Sequence, residues 1–422
     1  SSSLRRLRRG AGMRYSAGFP ASHYTSRPLE PRTDATFRSD ARVIGLVGFA
    51  HALSHFFQLA LPPLFPLLKA EFDVSWSLLG SLVGAFYVAS GIAQFAAGFA
   101  VDRWGARPIL FGGLALLAGG ALAAGMVPGI AWLFPVVVVM GIGNGVFHPV
   151  DFAILNASVS ARRLGHAYSV HGIGGNLGYA LAPIVTFALA SAFGWRAALA
   201  AVGVAGLVGL GVLVTHRGRL TCHVGRGHTR SGASASSLFR QPAILACFAY
   251  FTIATTATSG LQTFAPATLN VAFGVPLAFA TSAVTALLLG GTAGIVTGGF
   301  IASRVSRHDL VAAAGLASAA ALLIAITVAS PPVAILLPLF AAVGFSTGVT
   351  GPSRDLIVRA ATPSGASGRV YGFVYSGLDV GSMLGPVWFG FMLDHGMGDA
   401  VFVGAAACLA IAIGTVLQVR RI

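Results

Sequence analysis

From residue 43 to near the C-terminus, long apolar runs alternate with short polar connections. The runs cover about 43–68, 77–101, 108–128, 131–155, 166–193, 197–215, 241–266, 277–302, 310–330, 333–358, 370–393 and 400–419. Each reaches the roughly 18 residues that a helix needs to cross the hydrocarbon core of a bilayer. The pattern predicts an all-α membrane protein with twelve transmembrane helices. Pro62, Pro63 and Pro66 should bend the end of the first, because an interior proline removes a backbone donor and crowds the preceding turn.

The polar connections orient these helices. With the N-terminus in the cytoplasm, 24 of the 27 Lys and Arg residues fall on the cytoplasmic side, and the outer loops hold only Lys69 and Arg196. Arg354 lies inside a run. Both termini are therefore expected in the cytoplasm, with the chain in a bacterial inner membrane. Residues 1–42 carry nine Arg and read as a disordered cytoplasmic tail, or as sequence ahead of a start at Met13. Their Ser- and Arg-rich composition also resembles a transit peptide, the less favoured reading. Residues 216–240 form the longest connection, a cytoplasmic linker between a six-helix bundle at 43–215 and a second at 241–422.

Composition narrows the function classes. Hydrophobic residues make up 55% of the chain and charged residues 9%, so lipid must solvate most of it. The net charge of +15 sits in short loops and tails and forms no basic domain, which argues against a nucleic-acid partner. Three cysteines are too few for a disulfide framework. Cys222, His223 and His228 share a basic loop, but their spacing matches no standard metal site.

The two halves are related. A shift of 203 residues carries Gly141, Gly145, Pro149, Gly165, Tyr168, Gly174, Gly178 and Pro183 onto Gly344, Gly348, Pro352, Gly368, Tyr371, Gly377, Gly381 and Pro386. Duplication of one unit accounts for the matched spacings, and parallel repeats build transporters whose halves rock about a central site.

The loop after the second run reads Gly98, Asp102, Arg103, Gly105 and Arg107 at fixed offsets. It resembles the signature loop of the major facilitator superfamily, although Pro108 stands where a further basic residue is usual and the second-half counterpart has Ser303 in place of the acid. The resemblance implies two pseudo-symmetric six-helix bundles and a gate. Asp102 would latch the start of the eleventh helix near Arg369, and Arg103 and Arg107 would exchange ion pairs. A narrower resemblance runs through Phe147-His148-Pro149, Gly165-His166, Gly174-Gly175-Asn176, Gly178 and Pro183. It is similar to the fosmidomycin-resistance branch, from which this chain departs at Val150 and at Phe57-Gln58. Gly174 and Gly178, with Gly377 and Gly381, also resemble an antiporter element, but close helix packing is the simpler reading.

Polar residues within the runs fall on single faces. His51, His55 and Gln58 share a face of the first helix, and Asn144, His148 and Asp151 a face of the fourth. Thr256 and Gln262 lie on the seventh, Thr347 and Arg354 on the tenth, His171 on the fifth, and Tyr375 with Asp379 on the eleventh. The family fold implies that helices 1, 4, 7 and 10 line a central cavity, and these residues are its candidate lining. Asp379 is the one carboxylate well inside a run and is the candidate proton carrier, assisted by His148 or His171. Asp151 and Asp355 lie near cytoplasmic ends, where gate ion pairs are expected; the repeat sets Asp151 opposite Arg354. The histidines read as hydrogen-bonding or proton-linked groups, since no Cys or acid cluster completes a metal site. No metal or cofactor is expected.

The function these features point to is secondary active transport, driven by protons, of a small polar solute of anionic or zwitterionic character. Antibiotic or drug efflux is the alternative. A multispanning enzyme would need catalytic residues gathered at one membrane face, and a channel has less need of a duplicated unit. A monomer in the bilayer, with solute and protons as its partners, is expected.

Overall fold

The computed structural model of the chain describes residues 37–220, 240–363 and 367–419, without the side chains of 102, 161 and 367–369. These residues form α-helices and short 3-10 turns, and no strand occurs among them. In chain order the helices are α1 (Phe37–Gln58), α2 (Phe65–Phe72), α3 (Trp76–Trp104), α4 (Ala106–Ala124), α5 (Leu133–Gly145), α6 (Phe147–Ser158), α7 (Leu164–Phe193) and α8 (Trp195–Thr215). They continue as α9 (Pro242–Phe273), α10 (Leu277–Ala302), α11 (His308–Ala329), α12 (Val333–Ala361), α13 (Ser367–Asp394) and α14 (Gly398–Val419). Eleven spans among the described residues are long and apolar enough to cross a membrane. At 28 residues, α13 is also long enough, at about 1.5 Å per residue.

Two predicted helices are broken. The first run stops at Gln58 and resumes as α2 after a 3-10 turn at Pro62–Leu64. Proline sits in the first turn of both later pieces, where a missing N–H costs nothing. The fourth run, expected as one helix, steps at Val146 between α5 and α6. Pro149 has no N–H to offer the carbonyl of Gly145, and its ring crowds that carbonyl.

The tail boundary also shifts, since residues 37–42 belong to α1. They are polar, so hydropathy hides them, but Asp40 is buried. Its Oδ2 accepts from Ser160 Oγ at 2.7 Å and from Arg163 Nε at 2.7 Å, which ties the start of α1 to the turn before α7. Residues 1–36 and the linker residues 221–239 lie outside the described part.

Glycine sets how closely the helices cross, and it does so alike in both halves. A Cβ on Gly141 or Gly145 would fall 2.2 Å from the carbonyl oxygen of Phe86 or Ser90. At the repeat positions, a Cβ on Gly344 or Gly348 would fall 1.8 Å from Leu287 O or 2.2 Å from Gly291 O. Thus α5 lies on α3 as α12 lies on α10. Similarly, a Cβ on Gly178 would fall 2.0 Å from Ala52 O on α1, and one on Gly381 2.5 Å from Thr252 O on α9. The glycine spacing is accounted for by backbone contact between small-residue faces. Gly178→Ala should therefore lower the unfolding midpoint in detergent, at a cost of about 1–3 kcal/mol for overpacking. Gly172→Ala, whose Cβ meets nothing within 4 Å, is the control. Equal midpoints for the two variants would show slack at the α1–α7 crossing.

α1–α8 pack mainly on one another, as do α9–α14, and the two sets meet chiefly where α3 runs along α13 and α7 along α10. The closest contacts lie toward the Trp76 end of α3. A Cβ on Gly80 would sit 2.3 Å from Pro386 O, and one on Gly390 2.6 Å from Trp76 O. The Asp394 carboxylate accepts from the backbone N–H of Trp76 at 2.7 Å and of Ser77 at 2.8 Å, and from Ser77 Oγ. Thr285 Oγ1 donates to Ala180 O at 3.0 Å, and Phe264 packs on Phe65 and Trp76. All of these contacts lie on the Trp76 side of the place where Gly91 meets Asp379. At the opposite end Arg103, Trp104 and Pro108 are exposed.

Candidate functional site

Three helices converge on one polar cluster. Because α6 restarts at Phe147, His148 and Asp151 stand one turn apart on the same face. α7 touches α1 through Gly174 and Gly178, and His171, one turn before Gly174, is thereby brought against His51. Gly175 makes room for the rings, since a Cβ there would fall 2.8 Å from the His55 imidazole and 3.0 Å from His51 Cδ2.

At the centre, Asp151 Oδ2 lies 3.0 Å from His51 Nδ1 and 3.1 Å from His171 Nε2. The His51 and His171 rings stack with centroids 3.6 Å apart. His55 is 4.3 Å and His148 4.9 Å from His51 by the same measure. Asp151, His51 and His171 are buried, whereas His148 is exposed. Hydrogen bonding is incomplete. Asp151 Oδ1 and His55 Nδ1 have no partner among the described residues, and His51 Nδ1 is close to Asp151 without the alignment of a hydrogen bond.

A second polar group continues from this cluster. The His55 ring lies 4.2 Å from that of Tyr179. Tyr179 and Tyr87 both donate to Gln58 Oε1, at 2.6 and 3.2 Å. Asp379 is the acid whose charge both phenols feel. None of the contacts described for His148 or His171 reaches Asp379. Tyr87 and Tyr179 were not among the sequence candidates. Tyr179 lies eight residues after His171 and on the same face of α7, a spacing that was available in the sequence; Tyr87 carried no such signal.

In the second half, Arg354 Nε donates to Asp355 Oδ1 at 2.9 Å, and Tyr375 donates its hydroxyl to the same oxygen at 2.9 Å. The guanidinium lies 4.6 Å over the Phe251 ring. Thr347 and Arg354 line a cavity of about 80 Å³ with Tyr250, Thr255, Thr258 and Thr350. The repeat partners Asp151 and Arg354 are thus each held within their own half. The gate pair expected between them is not among the described ion pairs, because the step at Val146 turns Asp151 toward α1 and α7 and Asp355 engages Arg354 first.

Two other lining candidates serve packing. Asn144 Nδ2 donates to Ser90 Oγ at 2.9 Å, bridging α5 to α3. Thr256 is buried, and its hydroxyl donates to Thr252 O of its own helix at 2.8 Å. Gln262 is half-buried on α9. In the loop expected to form a gate, Gly105 has φ +82°, which favours glycine, while Gly98 faces open space. Arg103 lies 5.6 Å over the Trp104 ring and Arg107 is half-buried. The side chains of Asp102 and Arg369 fall outside the described residues, as do Cys222, His223 and His228.

A sequence model of the family described as Major Facilitator Superfamily matches residues 47–269 and, overlapping them, 251–421. The chain belongs to the major facilitator superfamily. Its fold agrees with that of a bacterial homologue of the human lysosomal transporter Spinster in an inward-facing, occupied conformation. The TM-score is 0.77 at 14% identity, over 92% of this chain and 98% of that one. An uncharacterized MFS-type transporter of Bacillus subtilis, YfnC, is 26% identical over 144 residues, 34% of this chain and 35% of that protein. The fosmidomycin resistance protein of Escherichia coli is 24% identical over 157 residues, 37% of this chain and 38% of that protein. The matched part of this chain spans about a third of each of these two curated relatives.

Proposed function

We propose that the chain is a proton-driven secondary transporter that moves a small anionic or zwitterionic organic solute across the bacterial inner membrane by alternating access. The observation that carries this reading is the asymmetry of the contact between the halves. The seams α3–α13 and α7–α10 are tight toward Trp76, while the described contacts reach no further than Gly91 and Asp379 toward Arg103. With the basic residues marking the cytoplasmic side, the Trp76 end is periplasmic and this conformation opens inward.

Arg354 is the solute anchor in this reading. Asp355 occupies its Nε, and the terminal nitrogens of the guanidinium remain for an anionic oxygen of the solute. Gly98, Asp102, Arg103, Gly105 and Arg107 form the cytoplasmic gate. The chain works as a monomer.

Purified protein in liposomes with an imposed pH gradient tests the reading, with a panel of labelled organic acids and amino acids. At least one solute should accumulate, and Arg354→Gln should reduce its uptake about tenfold or more, the effect of removing a charge-assisted contact. Accumulation of neutral or cationic solutes alone, with Arg354→Gln unchanged, would remove both the solute class and the anchor. The match to the fosmidomycin resistance protein favours a second reading, antibiotic export. Competition by fosmidomycin in the same liposomes decides between the two.

A further inference from the structure

We propose that His51, His148 and His171 bind one divalent transition-metal ion of the Zn²⁺ class, with Asp151 supplying the balancing negative charge. This goes beyond the transport reading and does not depend on it.

The three residues come from α1, α6 and α7, and one nitrogen from each lies within 4.8 Å of the others. Imidazole nitrogens bind Zn²⁺ at about 2.0–2.1 Å in tetrahedral geometry, which places ligand atoms roughly 3.3 Å apart. Rotation of the exposed His148 side chain, with small adjustments of the other two, closes the set around an ion. Neutral imidazole suits zinc, copper, nickel and iron, and a site of three histidines leaves a fourth position for water or a solute oxygen. In the sequence, His51, His55 and His148 stood without a Cys or a nearby cluster of acids. The fold brings His171 and the Asp151 carboxylate to them, and that carboxylate touches two of the three rings.

The incomplete hydrogen bonding is the second, independent observation. Buried polar atoms are nearly always partnered. Among the described residues Asp151 Oδ1 has no partner, and His51 Nδ1 and Asp151 Oδ2 face each other at 3.0 Å without a hydrogen bond. Four imidazoles and one carboxylate are gathered with no Lys or Arg among the ion-pair partners described for Asp151. A divalent cation held by the imidazoles offsets the buried negative charge and fixes each ring so that its second nitrogen can donate to Asp151. His148 supplies access, since it is the exposed member of the set.

The test uses the full untagged chain in detergent, stripped with a chelator and titrated with Co²⁺ and then Zn²⁺. One Co²⁺ per chain should bind with the visible absorption of a low-symmetry nitrogen site, and Zn²⁺ should displace it. His148→Gln and His171→Gln should each weaken Zn²⁺ binding at least tenfold, and Asp151→Asn about 10–100-fold, the usual effect of losing the carboxylate that supports ligating histidines. Size-exclusion and thermal unfolding of each variant establish that it is folded, and the exposed position of His148 makes that variant the least disruptive. Absence of Co²⁺ and Zn²⁺ binding overturns the proposal, and so does binding that persists unchanged in folded His148→Gln. Neither result bears on transport, which the liposome assay reads separately.

Discussion

Asp394→Ala is expected to open the Trp76 end of the molecule. The first N–H groups of any helix lack partners within it, and α3 finds its partner in a residue of the other half. The Asp394 carboxylate accepts from Trp76 N at 2.7 Å and Ser77 N at 2.8 Å, and also from the Ser77 hydroxyl. Hydrogen bonds to a charged group contribute about 1.5–3 kcal/mol, and a negative charge at a helix N-terminus adds about 0.3–1 kcal/mol. In the proposed alternating-access cycle these contacts form only while the seam is closed, so losing them acts on the equilibrium between the two states. A loss of about 1.4–2.8 kcal/mol shifts that equilibrium roughly 10–100-fold toward the state open at the Trp76 end. Thr285→Cys, in a background without Cys222, Cys247 and Cys408, reports on the seam, because Thr285 bonds across it to Ala180. An impermeant thiol reagent applied to the side that Trp76 faces should modify it at least tenfold faster in Asp394→Ala, with Asp394→Asn intermediate. Equal rates would show that Asp394 is only a helix cap and that the apolar seam alone keeps this end closed.

The fold was legible because the bilayer imposes it. Twelve apolar runs, basic residues gathered in alternate connections and a shift of 203 residues need no tertiary information. The repeat has a physical meaning in the structure, because Gly141 and Gly344 serve the same backbone crossing in the two halves. Less legible were features that depend on which neighbour a face meets. Spacing placed Asn144 and Thr256 on polar faces, but a polar side chain can be satisfied away from a cavity; Asn144 bonds Ser90 of another helix, and Thr256 a carbonyl of its own. The start of α1 was hidden because Asp40 lowers local hydropathy while being buried by Ser160 and Arg163. The convergence of His51, His148, Asp151 and His171 depends on the crossing of α1 and α7 at Gly174 and on the step at Val146. The sequence marks both places, by a glycine pair and by Pro149, yet it does not specify the angle that brings the side chains together.

Asp379→Asn is expected to abolish accumulation driven by a pH gradient while leaving solute exchange intact. Asp379 stands about 18 Å along α13 from Ser367, at ~1.5 Å per residue, where the α3–α13 seam gives way toward the Arg103 end. From α3 it faces Gly91, and the Tyr87 and Tyr179 hydroxyls lie within reach of its charge. No ion pair is described for it among the described residues, so no fixed cation ties it to one conformation. If the seam opens at one end as it closes at the other, this carboxyl group is exposed in turn to each side and can take a proton from one and release it to the other. Asparagine retains the shape and the hydrogen bonding but cannot carry the proton. With one proton per solute, a gradient of one pH unit stores about 1.4 kcal/mol and supports roughly tenfold accumulation. In liposomes the variant should settle at an inside-to-outside ratio of about one under that gradient, while exchanging labelled for unlabelled solute at a rate near that of the parent chain. Tenfold accumulation in Asp379→Asn would remove this residue from coupling. Loss of exchange together with accumulation would instead assign Asp379 to the movement of the halves or to the solute itself.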